Sequence, residues 1–80
     1  MEKTPYRRVS CDFYDSLEAL ATRRQALWVE YRNEAGQPRD CMATIADLQT
    51  QQGAEYALLS NGLRLRLDQI TSLREIEWLL

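Results

Sequence analysis

The 80-residue sequence has no histidine, two cysteines, two prolines and three glycines. Without histidine, and with Cys11 and Cys41 widely separated, the usual zinc-ligand spacings and any Cys–His nucleophile pair are excluded. No glycine-rich phosphate loop is present, and no Ser or Cys nucleophile has a recognisable base. The chain is therefore expected to be no enzyme and to hold no cofactor and no metal. The two thiols are expected to be unbonded, buried as small apolar side chains. There is no apolar run near the ~18 residues a membrane helix needs, and no charged-then-apolar leader. The expectation is a soluble, cytoplasmic protein. An excess of charge is missing too: ten Lys and Arg against twelve Asp and Glu leave a net charge of −2. Nothing in that balance draws the whole molecule to nucleic acid or to an anionic membrane.

What is present is ordinary globular material, 45% hydrophobic and 28% charged, in a length that suits one small domain. The most informative stretch is Cys11-Asp12-Phe13-Tyr14-Asp15-Ser16-Leu17-Glu18. Asp12 is a good N-cap type and Asp15 favours the positive end of a helix dipole, so a helix is expected to start near Asp12 and to run to Thr22–Arg24. At about 100° per residue, Phe13, Leu17, Leu20 and the stem of Arg24 share one side. Asp12, Asp15 and Glu18 line the other, with no Lys or Arg three or four positions on to neutralise them. Tyr14 falls on the border, half exposed. Arg23 and Arg24 suit the C-terminal end of the dipole, but no sharp stop signal follows them.

Residues 1–10 read as a flexible or extended arm carrying Arg7 and Arg8, and 11–80 as a single domain. From Gln25 the period becomes two: Leu27, Val29 and Tyr31 alternate with Trp28, Glu30 and Arg32, which predicts a strand. Asn33 to Pro38 is dense in turn residues. A second strand is expected over about Arg39–Ala46, with Cys41, Ala43 and Ile45 on one face, and a polar loop from Asp47 to Gly53. Asn61-Gly62 is a favoured pair for a two-residue type I′ hairpin. Pairing Ser60 with Leu63 would then set Leu58 opposite Leu65 and Tyr56 opposite Leu67, with Leu59–Arg64 and Ala57–Arg66 on the second face. Ile70–Leu73 and Ile76–Leu80 read as one interrupted or two short closing strands. Trp28 and Trp78 lie opposite the aliphatic stripes and are expected to pack under the helix rather than form an exposed patch. A mainly β chain with one N-terminal helix and about five short antiparallel strands should curl into a small barrel capped by the helix.

Three blocks, read in order, resemble the Rof family of inhibitors of Rho-dependent transcription termination. They are Cys11-Asp12-x-Tyr14-Asp15-x-Leu17-Glu18; Ala43-x-x-x-Asp47-Leu48 followed by Glu55-Tyr56; and Leu65-Arg66-Leu67-Asp68-x-Ile70-Thr71-Ser72. The resemblance implies an Sm-like antiparallel β-barrel with an N-terminal helix. It also implies a partner, the RNA-binding region of the Rho hexamer, bound by a protein that is a monomer when free and that keeps RNA from loading. Asp12, Asp15 and Glu18 would then stand in for RNA phosphates, with Tyr14 beside them as a stacking or hydrogen-bonding contact. The chain departs from acidic members in having Arg7, Arg8, Arg64 and Arg66. The alternative is an Sm-like RNA-binding module using those four arginines, against which Leu67-Asp68-Gln69 stands where a basic element would be needed.

Overall fold

The computed structural model describes residues 8–77. Most of the expected arm lies outside them, as does Trp78. Helix α1 spans Cys11–Arg23, and its N-cap is Ser10, whose Oγ accepts from the Phe13 N–H at 3.1 Å. Ser10 takes the cap because its backbone is extended, at φ −68° and ψ 154°. That places Asp12, the expected cap, inside the first turn, where it acts on the dipole alone. The other end is sharper than the sequence suggests. Arg24 adopts a left-handed conformation, φ 53° and ψ 44°, while Arg24 N–H donates to Ala21 O at 3.1 Å and Gln25 N–H to Leu20 O at 3.0 Å. This is a Schellman stop built without glycine. Arg24 consequently lies past the helix, exposed, and does not extend its apolar stripe.

Among the described residues six strands follow: β1 Leu27–Arg32, β2 Pro38–Ala43, β3 Ile45–Gln51, β4 Ala54–Leu59, β5 Arg64–Arg66 and β6 Ile70–Glu75, with a 3₁₀ turn at Leu67–Gln69 before the last. They form two three-stranded antiparallel sheets, ordered β2-β1-β6 and β3-β4-β5. The fold is thus mainly β with one helix, as expected, but its hydrogen bonding does not close into one barrel. β2 runs into β3 through Thr44 alone, and β5 is only three residues long before the chain winds into the 3₁₀ turn. There the Arg66 N–H donates to the Gln69 side chain at 2.9 Å.

The segment expected to be a polar loop, Asp47–Gly53, is mostly strand. β3 reaches Gln51, and a tight Gln52-Gly53 turn, both residues at positive φ, returns the chain into β4. Ile45 pairs with Leu59 and Asp47 with Leu58, so Ala46 is an extra residue that bulges the strand. The inward set is therefore Ile45 and then Leu48, at a spacing of three, which breaks the period of two.

The Asn61-Gly62 hairpin forms with a different register. Gly62 N–H donates to Leu59 O at 2.9 Å and Leu59 N–H to Leu63 O at 2.8 Å, while only Gly62 of the turn has positive φ, at 89°. This is a three-residue loop with a bulge glycine rather than a type I′ pair. It moves the register by one: Leu58 faces Arg64, Ala57 faces Leu65 and Tyr56 faces Arg66. Ala57, Leu59 and Leu65 now share the buried face, and Tyr56 and Leu58 turn outward with the arginines. Of the expected closing strands, the first is β6, which runs to Glu75 and is followed by the Ile76 N–H bonded to Ala26 O at 3.0 Å, while most of the second, Ile76–Leu80, lies outside the described residues.

One core serves both sheets. Leu17, Leu27, Val29 and Leu67 are almost completely buried, joined by Leu20, Ala43, Ile45, Ala57, Leu59 and Leu65. The helix supplies Leu17 and Leu20, with Phe13 and Tyr14 packed at the margin. At roughly 1.5–3 kcal/mol for each fully buried leucine, α1 is held to the sheets mainly by these side chains. The cysteines are less buried than expected. Both are free thiols, Cys11 exposed in the first turn of α1 and Cys41 half-buried on β2. Trp28 does not pack under the helix: its cross-strand partners are Met42 and Arg74, on the sheet face away from Val29 and Leu27.

A Cβ added at Gly62 would meet nothing within 4 Å, so only its backbone conformation resists substitution. Gly62→Val should therefore lower unfolding free energy by at least about 1–2 kcal/mol in urea denaturation, against a few tenths for an ordinary exposed site. An unchanged midpoint would show that the loop relaxes to negative φ.

Candidate functional site

The site is built on the outer side of α1. Asp12, Asp15 and Glu18 are all exposed, and Ser16 and Thr22 donate their hydroxyls to the carbonyls of Asp12 and Glu18 at 2.9 Å, away from the carboxylates. None of the three acids takes part in an ion pair among the described residues. The one α1 arginine in an ion pair, Arg23, meets Glu75 at 3.4 Å near the far end. An uncompensated acidic stripe therefore runs along the helix from its first turn.

Tyr14 is half-buried at the margin of the stripe, packed against the core cluster. Its phenol is held above its ordinary pKa, first by burial and then by the negative charges of Glu18, Glu55 and Asp47. These charges come from three elements. Glu18 sits one helical turn after Tyr14, Asp47 comes from β3, and Glu55 is the second residue of β4, next to Tyr56. The Asp47 carboxylate is held by its own strand: Oδ1 accepts from the Leu48 N–H at 2.9 Å and Oδ2 from Gln49 Nε2 at 3.4 Å. The arrangement presents a neutral phenol O–H within the field of three carboxylates, which suits a cationic surface.

Of the residues named from the sequence, Tyr14 and Glu18 belong to this arrangement, while Asp12 and Asp15 extend it along the helix. Asp47 and Glu55 were not singled out as site residues. The signal available for them was their place in the second block of the family resemblance. Periodicity could not supply it, because the Ala46 bulge conceals β3.

Arg64 and Arg66 are engaged within the molecule. The Arg64 guanidinium lies 3.7 Å from the centroid of the Tyr56 ring and donates to Gln49 Oε1 at 3.1 Å and Gln51 Oε1 at 2.6 Å. Arg66 Nε donates to Asp68 Oδ1 at 2.6 Å, with both side chains largely covered. No group of three or more Cys, Asp and Glu side chains that could hold a metal ion occurs among the described residues. No helix among them is long and apolar enough to cross a membrane. No family model matches the chain, and neither does any curated protein.

Because burial and three carboxylates all favour the protonated phenol, Tyr14 should keep its proton above the ordinary tyrosine midpoint near ~10. The difference between wild type and Tyr14→Phe in phenolate absorbance across alkaline pH isolates this group. Glu18→Gln should move the midpoint down, since one repelling charge is gone; no movement would mean that Glu18 does not act on Tyr14.

Proposed function

We propose that this chain is a Rof-type antiterminator that binds the Rho hexamer at its RNA-binding region and inhibits Rho-dependent termination by blocking RNA loading. The observation that carries the reading is the exposed acidic stripe of Asp12, Asp15 and Glu18 on α1, unpaired among the described residues, beside half-buried Tyr14, whose phenol also feels Asp47 and Glu55. The first two blocks of the family resemblance, far apart in the chain, meet there. A surface that holds RNA phosphates must be cationic, and fixed carboxylates on a helix and two strands are attracted to it by the same field. The phenol of Tyr14 supplies a neutral donor and an aromatic face within that contact. On this reading the protein works by occupancy, with no chemistry of its own, as a cytoplasmic monomer that competes with RNA.

The Sm-like architecture belongs to the same proposal. The two sheets are taken as halves of a strongly bent barrel, with β2 and β3 as one long strand bent at Thr44 and the 3₁₀ turn joining the halves at the other side. The RNA-binding alternative has less support, since Arg66 is paired with Asp68 and Arg64 is held by Tyr56, Gln49 and Gln51.

The test is titration of purified protein against Rho, with and without RNA. Asp15→Lys with Glu18→Lys should weaken binding by at least about a hundredfold, on the scale of a few kcal/mol for charges at a close interface, while the fold survives because both side chains are exposed. Wild-type binding should fall with added salt and compete with RNA. Arg64→Gln should leave it unchanged. Undiminished binding by the double acid variant would remove the helix from the interface.

A further inference from the structure

Between α1 and β6 the packing is left open. A groove of about 510 Å³ runs there, lined by Phe13, Ser16 and Leu20 of the helix, by Leu73 and Glu75 of β6 and by buried Leu27 of β1. Ser16 makes the room: it stands three residues after Phe13 and four before Leu20, and its small side chain turns back to Asp12 O at 2.9 Å. β6 is the outer strand of its sheet, paired with β1 alone among the described residues. The one charged group in the lining, Glu75, already meets Arg23 at 3.4 Å. The groove therefore offers no free charge to an ionic ligand and suits an apolar side chain.

The chain leaves β6 at the edge of this groove. Glu75 pairs with Leu27, the Ile76 N–H donates to Ala26 O at 3.0 Å, and Gln25 Nε2 donates to Ile76 O at 3.0 Å. Ile76 is thus pinned beside the Leu27 end of the groove. After Glu77 the sequence continues Trp78-Leu79-Leu80, three apolar residues in a row. Two residues span at most about 7 Å, so Trp78 cannot stray far from Ile76, and a chain that turns back at Glu77 brings its indole over Leu20 and Leu27.

We propose that Trp78-Leu79-Leu80 docks in this groove, with the Trp78 indole against Leu20, Leu27 and Leu73, and so clasps α1 to the first sheet. Tethering selects this occupant: a segment joined to its site by so short a link acts at an effective concentration of about millimolar, which a separate peptide does not match. Residues 1–7 fit less well, because Glu2, Lys3 and Arg7 would lose water on entering an apolar groove. The inference concerns how the helix is seated and does not rest on Rho binding.

Trp28→Phe leaves Trp78 as the only tryptophan of the full chain. Its indole should then emit at the short wavelengths of a buried ring and be shielded from acrylamide several-fold relative to the same chain in urea. Nuclear Overhauser contacts should join that indole to the methyl groups of Leu20, Leu27 and Leu73. Ser16→Phe fills the groove from the helix side and should return the indole to acrylamide while the far-ultraviolet circular dichroism stays that of the folded chain. Trp78→Ser should lower the melting temperature by at least about 4 °C, as the loss of a buried side chain does in a domain of this size. An indole as accessible as in urea, or shielding that Ser16→Phe leaves intact, would overturn the proposal. Contacts from Tyr6 to Leu20 or Leu73 would overturn it by giving the groove to residues 1–7. Shielding that fades on dilution would do so by making a second copy of the chain the occupant.

Discussion

The chain crosses from the second sheet to the first at the corner between β5 and β6, and the Gln69 side chain bridges that corner. Its Oε1 accepts from the Arg66 N–H at 2.9 Å and its Nε2 donates to Arg32 O at 3.0 Å, so one amide bridges the end of the second sheet to the end of β1 in the first. Leu67, fully buried, enters the core from the same turn, and the Arg66–Asp68 pair flanks it in sequence. With both ionic groups mostly covered, each needs the other: loss of one partner would leave a desolvated charge. This corner and the Thr44 joint between β2 and β3 carry the chain between the two sheets, and buried Leu17 and Leu20 seat α1, with its acids, on the core that they share.

Charge is distributed so that the two signs have different work. Arg64 is committed to partners in the second sheet, Arg66 to Asp68 in the 3₁₀ turn, and Arg23 to Glu75. The acids of α1, together with Glu30 and Asp40, have no such partners among the described residues. The net charge of −2 does not say where the charges lie: the exposed acids of α1 share one helix face, while exposed Arg24, Arg39 and Arg74 stand elsewhere. Whole-chain charge describes long-range attraction, whereas recognition depends on which charges remain uncompensated once the chain has folded.

The parts of the fold legible in the sequence are those fixed by local physics. The helix, the alternation of β1, the Asn33–Pro38 turn and the positive φ of Gly62 each depend on a few neighbouring residues. What was not legible came from single-residue irregularities. Ala46 inserts into β3 and shifts its inward set from a spacing of two to three, so a strand looks like a polar loop. At Ser60-Asn61-Gly62, one extra loop residue exchanges the faces of β5 relative to β4. The site was half legible for the same reason: Tyr14 and Glu18 sit on a regular helix, while Asp47 lies just past the bulge and Glu55 beyond a Gln-Gly turn whose first residue is an uncommon choice. Alternation placed Trp28 on the correct face of β1, opposite Leu27 and Val29, but it does not say that the helix covers the other face.

Thr44, the single residue between β2 and β3, limits what this architecture tolerates in length. Ala43 and Ile45 flank it and are both buried, and Thr44 O accepts from the Ser60 N–H at 2.9 Å while its own N–H donates to Ser60 Oγ at 3.0 Å. The joint has no slack. One residue gained or lost there would turn one of those two side chains out to water and separate Thr44 from Ser60. A change of length is absorbed more easily in the 33–37 turn, which Asn33 already closes on itself, and the joint becomes a fixed ruler against which the two sheets are measured.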